Sequence, residues 1–237
     1  MAGADKPLAY LPLEPENNPF LGVRGLRLGL SRPDLLEAQV RAALRVAAGH
    51  PLSLMFPMVT NVDELLRARA IVDDAAGPLD TAGRAVPERV PVGIMVEVPA
   101  AALLAEAFAA HVDFFSIGTN DLTQYVLAAE RGNAPVAALG DALHPAVLRL
   151  IERTARAAAE AGKPVAVCGE VAGDPAAIPL LLGLGITGLS MAPARIPLAK
   201  EAVRATDTAD ARRLAVAALA ADSASEVRRL CGPQSAV

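Results

Sequence analysis

The 237-residue sequence contains no tryptophan, two cysteines and only 3% aromatic residues. Two cysteines, Cys168 and Cys231, cannot build a disulfide framework, and a chain of this length can form its core without one. Scarce aromatics remove the stacking platforms on which single-stranded nucleic acids lie. Positive charge is not in excess: 22 Lys and Arg stand against 26 Asp and Glu, a net charge of −4. Neither nucleic acid nor an anionic membrane surface is therefore expected as the main partner, and any bound anion must be held by a local arrangement of groups. Long apolar runs are missing as well. The most apolar segment, IPLLLGLGITGLSMA (178–192), is interrupted by three glycines and falls short of the ~20 residues a spanning helix needs. The opening MAGADKPLAYLPLEPENNPF has no basic stretch leading into an apolar one, so no signal peptide is expected. These absences point to a soluble, cytoplasmic chain. No internal repeat and no low-complexity tract is found.

Hydrophobic residues make up 53% of the chain, enough for a sizeable core and too much for a disordered chain. They fall into short strand-like runs separated by helical patterns. The strand candidates are LSLMFPM (52–58), PVGIMVE (91–97), VDFFSIG (112–118), PVAVCG (164–169) and GITGLSM (185–191). Each is apolar on successive residues, as expected of strands covered on both faces. A helix from Pro33 carries Leu35, Leu36, Val40, Leu44 and Ala47 at spacings of three and four, and another starts after the capping pair Thr60-Asn61 and runs through Val62, Leu65 and Leu66. Further helices are predicted over 100–109, 145–161 and 174–183, with two more in 196–230. Alternation of this kind implies βαβ units and a parallel sheet, either doubly wound or a (β/α)8 barrel of which five units are clear. GVRGLRLGL (22–30) can be read as a sixth strand or a helix entrance. Two Gly- and Pro-rich loops, 77–90 and 132–143, are expected to be exposed and mobile.

In parallel α/β folds, reactive groups gather at the C-terminal ends of strands. Those ends carry Glu97; Gly118, Thr119, Asn120 and Asp121; and Cys168, Gly169 and Glu170, with Arg24 in NPFLGVR and Arg131 ten residues past Asp121. Glu97 and Asp121 suit Mg²⁺, a hard cation content with few protein ligands, or alternatively serve as helix caps. The GTND turn can present N–H groups to an anion or be an ordinary strand-to-helix turn. Arg24 and Arg131 can clamp phosphate or carboxylate, or be plain surface arginines. Cys168 can be an inert core thiol or a general acid that protonates a carbanion. Cys231 gets no role. His50, His111 and His144 have no Ser or Cys partner that would suggest a triad.

The segment VDFFSIGTNDLTQYVLAAERGN (112–133) resembles the signature of the PEP-utilising enzymes, with the greatest likeness to enzyme I of bacterial sugar phosphotransferase systems. The likeness extends to ENNPFLGVRGLRLGL (16–30), LMFPMV (54–59), GIMVEVPAA (93–101), VCGEVAGDP (167–175) and GLSMAPARIP (188–197), and so to nearly the whole chain. It implies a PEP-binding (β/α)8 barrel that forms a homodimer. By likeness, Glu97 and Asp121 ligate Mg²⁺, and Asn120 with Gly118 and Thr119 meets the phosphoryl group. Arg24 and Arg131 hold the anionic ends of phosphoenolpyruvate, and Cys168 protonates C3 to release pyruvate. Such phosphoryl transfer rests on charge neutralisation and positioning.

The likeness is to the C-terminal part of enzyme I. The expectation is therefore a single, incomplete barrel domain: a leading segment over 1–32, βα units over 33–205 and C-terminal helices over 206–237. The segment 4–12 resembles the stretch just after the third barrel strand, so the first three strands and a phosphate-binding arginine have no counterpart. The phosphohistidine domain and the surface for a phosphocarrier protein would have to be supplied separately. Pyruvate phosphate dikinase or PEP synthase, and a non-catalytic PEP-binding or dimerisation module, stay open as alternatives.

Overall fold

Short apolar runs flanked by helical stripes fold as parallel strands under helices. The computed structural model describes Ala9, Leu11 and residues 14–81 and 87–232. The rest of the 4–12 stretch and residues 82–86 of the first loop lie outside the described residues. The chain divides into two compact units, residues 1–95 with 111–113 and residues 96–110 with 114–237.

In the first unit the elements are α1 (Leu26–Ser31), α2 (Pro33–Ala47), β1 (Leu54–Phe56), α3 (Val62–Thr81) and β2 (Val92–Val96), the last running on into the second unit. β1 pairs parallel with β2, Leu54 opposite Val92. α2 starts on Pro33, whose fixed φ suits a first helical position, and buries Leu36, Val40 and Leu44, one turn apart. At the start of α3 the Asn61 side chain accepts the Glu64 N–H at 2.9 Å, and the Glu64 carboxylate accepts the Thr60 N–H at 2.6 Å. This reciprocal cap is the role the sequence suggested for Thr60-Asn61.

Of the two readings open for 22–30, the structure selects the helix entrance: Gly25 has φ +58° and the Leu26 N–H donates to the Pro57 carbonyl at 3.1 Å. A Cβ on Gly25 would sit 2.9 Å from Met58 Cγ. The loop expected from residue 77 begins later, because α3 continues through Gly77 to Thr81. Leu65, Ala68, Val72, Ala75 and Leu79 form one buried stripe, and burial of Leu79 outweighs the helix-breaking tendency of Gly77.

The second unit contains α4 (Pro99–Leu103), α5 (Ala105–Ala109), β3 (Phe115–Gly118), α6 (Thr119–Leu127), α7 (Ala134–Ala137), α8 (Pro145–Glu160), β4 (Val165–Cys168), α9 (Ile178–Gly183), β5 (Gly188–Ser190), α10 (Ile196–Ala205), α11 (Thr208–Ala220) and α12 (Ala224–Cys231). β3, β4 and β5 pair in that order, all parallel. Every residue of β3 is buried, as a strand covered on both faces requires. α8 lays Val147, Leu148, Ile151, Ala155 and Ala158 against the interior, and its cap is His144, whose Nδ1 accepts the Ala146 N–H at 3.2 Å. The C-terminal region forms three helices where two were expected. Asp207 caps α11 and Ser223 caps α12, and each cap stops the helix before it.

The packing of α9 on α11 leaves no room at Gly183, where a Cβ would collide with the Ala211 carbonyl. Gly183→Ala should destabilise the protein by about 1–3 kcal/mol, the usual range for overpacking, seen as a lower denaturant midpoint with an unchanged slope.

Candidate functional site

The β3–β4 register sets Gly118 beside Cys168, so the turns that leave these strands lie next to each other. Thr119, fully buried, donates its hydroxyl to the Cys168 carbonyl at 2.7 Å. Gly169 comes next with φ +108°. A Cβ there would strike Thr119 Oγ1 and come within 2.8 Å of Asn120 Oδ1. Only glycine allows this approach.

Neither carboxylate acts as a helix N-cap. The cap of α4 is Val98, one residue past Glu97, and that of α6 is Gly118; neither cap is made by a side chain. Asp121 lies in the first turn of α6, where the helix dipole favours negative charge. Glu97 is 4% exposed, a degree of burial that strand packing does not ask of a carboxylate.

Cys168 joins these groups electrically. Its Sγ lies 3.8 Å from the Ser116 hydroxyl, which donates to it, and the thiol donates to the Ile117 carbonyl at 3.4 Å. Burial pushes the thiol above its ordinary value; the Ser116 hydrogen bond opposes that rise, while the charges of Glu97 and Asp121 add to it. The side chain is thus a protonated thiol at neutral pH, the form a proton donor needs.

Arg131 Nη1 stands 3.7 Å from Asp121 Oδ2, and its backbone N–H donates to Gln124 Oε1 at 3.2 Å. Thr119, Asn120, Gln124, Arg131 and Glu170 line a cavity of about 390 Å³. Glu97, Gly118, Thr119, Asn120, Asp121, Arg131 and Cys168 therefore all belong to the second unit. Arg24 belongs to the first, where it is 8% exposed with its guanidinium 5.4 Å from the Phe20 ring centroid.

Among the described residues no three His, Cys, Asp or Glu side chains cluster as a metal cage. Glu97 and Asp121 offer carboxylate oxygens, the donor type Mg²⁺ takes, and both carboxylates act electrically on the same thiol. Sequence reading missed Ser116, Gln124 and the steric need for Gly169. A serine inside an otherwise apolar strand was the available signal for the first.

In metal-free protein carrying Cys231→Ser, alkylation of Cys168 should titrate above an ordinary thiol. Glu97→Gln and Asp121→Asn should each move that midpoint down, because each removes a negative charge that opposes the thiolate. An unmoved midpoint in both variants would separate the thiol from the carboxylates.

The family described as the PEP-binding domain of PEP-utilising enzymes matches residues 2–208. A phosphoenolpyruvate-protein phosphotransferase of Haloferax volcanii is 53% identical over 234 residues, covering 96% of this chain and 41% of the relative. A multiphosphoryl transfer protein of Xanthomonas campestris is 52% identical over 229 residues, covering 96% and 27%. A phosphoenolpyruvate-protein phosphotransferase of Haemophilus influenzae is 44% identical over 228 residues, covering 96% and 40%. The chain thus spans well under half the length of these relatives. A crystal structure of a citrate lyase from Burkholderia xenovorans superposes with a TM-score of 0.53 at 21% identity, covering 82% of this chain and 66% of that one. This likeness shows fold alone: α/β architecture of the (β/α)8 type, with five parallel strands here. Among the described residues no helix is long and apolar enough to cross a membrane. With a matching family that spans most of its length and relatives above half identity, the chain belongs to the PEP-utilising enzymes and carries their PEP-binding domain.

Proposed function

We propose that this chain supplies the PEP-binding half of a phosphoenolpyruvate-protein phosphotransferase, moving the phosphoryl group of PEP to a histidine on a separate domain and releasing pyruvate. The observation that carries this reading is the placement of the Cys168 thiol, hydrogen-bonded to Ser116 and to the Ile117 carbonyl and tied through its own carbonyl to Thr119 in the turn that carries Asn120 and Asp121. A site that only binds PEP has no use for a positioned acid.

Glu97 and Asp121 would hold Mg²⁺, which when bound supplies positive charge to the phosphoryl and enolate oxygens. Arg131, at the rim of the cavity, is suited to a bidentate grip on a phosphate or carboxylate. Asn120 and the N–H groups opening α6 face the same anion. As the bridging P–O bond breaks, its electron pair stays on the departing enolate oxygen. The C3 carbon then takes the Sγ proton of Cys168: a C–H bond forms, the S–H bond breaks, and solvent later returns a proton to the thiolate. The raised thiol pKa makes the thiol a weak acid in the resting site, so it gives up its proton to the basic enolate carbon rather than to solvent. Thr119 and Gly169 keep the donor and the anion-binding turn in register. We propose in addition that the protein works as a cytoplasmic homodimer in sugar uptake, the phosphohistidine domain passing its load to a phosphocarrier protein.

Asp121→Ala should abolish Mg²⁺-dependent PEP binding in calorimetry, since one carboxylate cannot hold the ion against water; unchanged affinity would remove the metal role. With added phosphohistidine domain, Cys168→Ala should bind PEP normally yet fail to form pyruvate. Normal pyruvate release would assign the proton to another donor. PEP binding without any labelling of the histidine domain would leave a binding module.

A further inference from the structure

The loop that carries Arg131 has little beneath it. Between Ala129 and Leu143, both 2% exposed, no residue of 130–142 is buried. The loop borders the cavity of about 390 Å³, and in that cavity's wall Thr123 Oγ1 is buried without a hydrogen-bond partner. A packed core normally holds a segment through many small contacts. Here that support is replaced by an open cavity of mixed lining, so individual side-chain ties decide where the loop stands.

One tie is Arg131 itself, through Gln124 and Asp121. At the far end of the loop stands Asp141. Its two carboxylate oxygens accept Nε and Nη2 of Arg228 at 2.7 and 2.9 Å, a fork-to-fork pair that fixes orientation as well as distance. Asp141 Oδ1 also accepts the Leu143 N–H at 2.9 Å. The Arg228 guanidinium is held above its usual value chiefly by the Asp141 hydrogen bond, and Asp174 nearby adds to the rise. Arg228 is on α12, 87 residues along the chain from Asp141, and lines the same cavity as Asn120 and Arg131. α12 in turn rests on α11, with Val227 fully buried.

We infer that the Asp141–Arg228 pair is a positioning device for the substrate site: α12 holds the far end of the loop so that Arg131, at its near end, stays over the anion-binding turn. Neither residue touches substrate in this assignment. It rests on the reading of Arg131 as a PEP-binding residue. α12 thereby becomes part of the working site, although it begins more than fifty residues beyond Cys168.

The test uses the full chain with PEP and Mg²⁺ in calorimetry, beside hydrogen exchange and thermal melting without ligand. Arg228→Ala and Asp141→Ala should each weaken PEP binding about fivefold, the effect of losing one well-oriented half-exposed pair. The double variant should be no weaker than either single one, and the exchanged pair Asp141→Arg with Arg228→Asp should regain affinity. Amides of 130–142 should exchange faster in Arg228→Ala while those of α8 and α11 do not change. A lowered melting temperature with unchanged PEP affinity would show a merely structural pair and overturn the inference. Additive losses, or faster exchange spread over the whole unit, would do the same. If the unaltered chain binds no PEP, the functional reading itself fails, and the exchange arm then reports separately whether the pair holds the loop.

Discussion

The site depends on one hydrogen bond, from the buried Thr119 hydroxyl to the Cys168 carbonyl, and on the missing side chain at Gly169 that lets it form. The bond ties the turn after β3 to the turn after β4, outside the ladder that joins the strands themselves. Asn120 and Asp121 come directly after Thr119, and Cys168 precedes Gly169, so the tie sets the turn that opens α6, one carboxylate and the thiol in a common frame. Groups held in this way need little rearrangement, and preorganised dipoles and charges are worth most where they need not be reorganised.

The thiol reports on the balance of forces in that frame. Burial and two carboxylates hold its proton on, while Ser116 contributes a donor that would favour the thiolate. At 3.8 Å the Ser116–Sγ contact is a long hydrogen bond, weaker than the loss of solvent around a half-buried sulfur. The proton therefore stays on sulfur in the resting site. The same physics disfavours a thiolate here, because the negative charges of Glu97 and Asp121 oppose it.

Much of this was legible in the residues, and the part that was not has a common cause. All five strands were readable from runs such as VGIMV and FSIG, because strands buried on both faces leave an unbroken apolar signature. The ends of those strands carry Glu97, Cys168 and the turn that leads to Asp121. Local punctuation misled where distant packing outweighed it. Gly77 reads as a break, yet Leu79 is buried and α3 runs past it. The split of the C-terminal region was signalled by Asp207 and by Ser223 with Glu226, a capping box whose Glu226 carboxylate accepts the Asp222 N–H at 3.1 Å. Ser116 facing Cys168, and Asp141 facing Arg228, are pairs made by tertiary contact at separations of 52 and 87 residues. No periodicity encodes them.

The Arg131–Asp121 contact shows how an exposed loop can keep a charge near the turn that opens α6. At 3.7 Å, with the Arg131 side chain 41% exposed, it is a loose surface-type ion pair worth at most about 1 kcal/mol. Water solvates both groups when such a pair parts, so the contact biases the guanidinium toward Asp121 without fixing it there. No residue of 130–142 is buried, so packing adds little to that bias. The Asp141–Arg228 fork at the far end of the loop is the better-oriented tie, because two parallel hydrogen bonds set direction as well as distance.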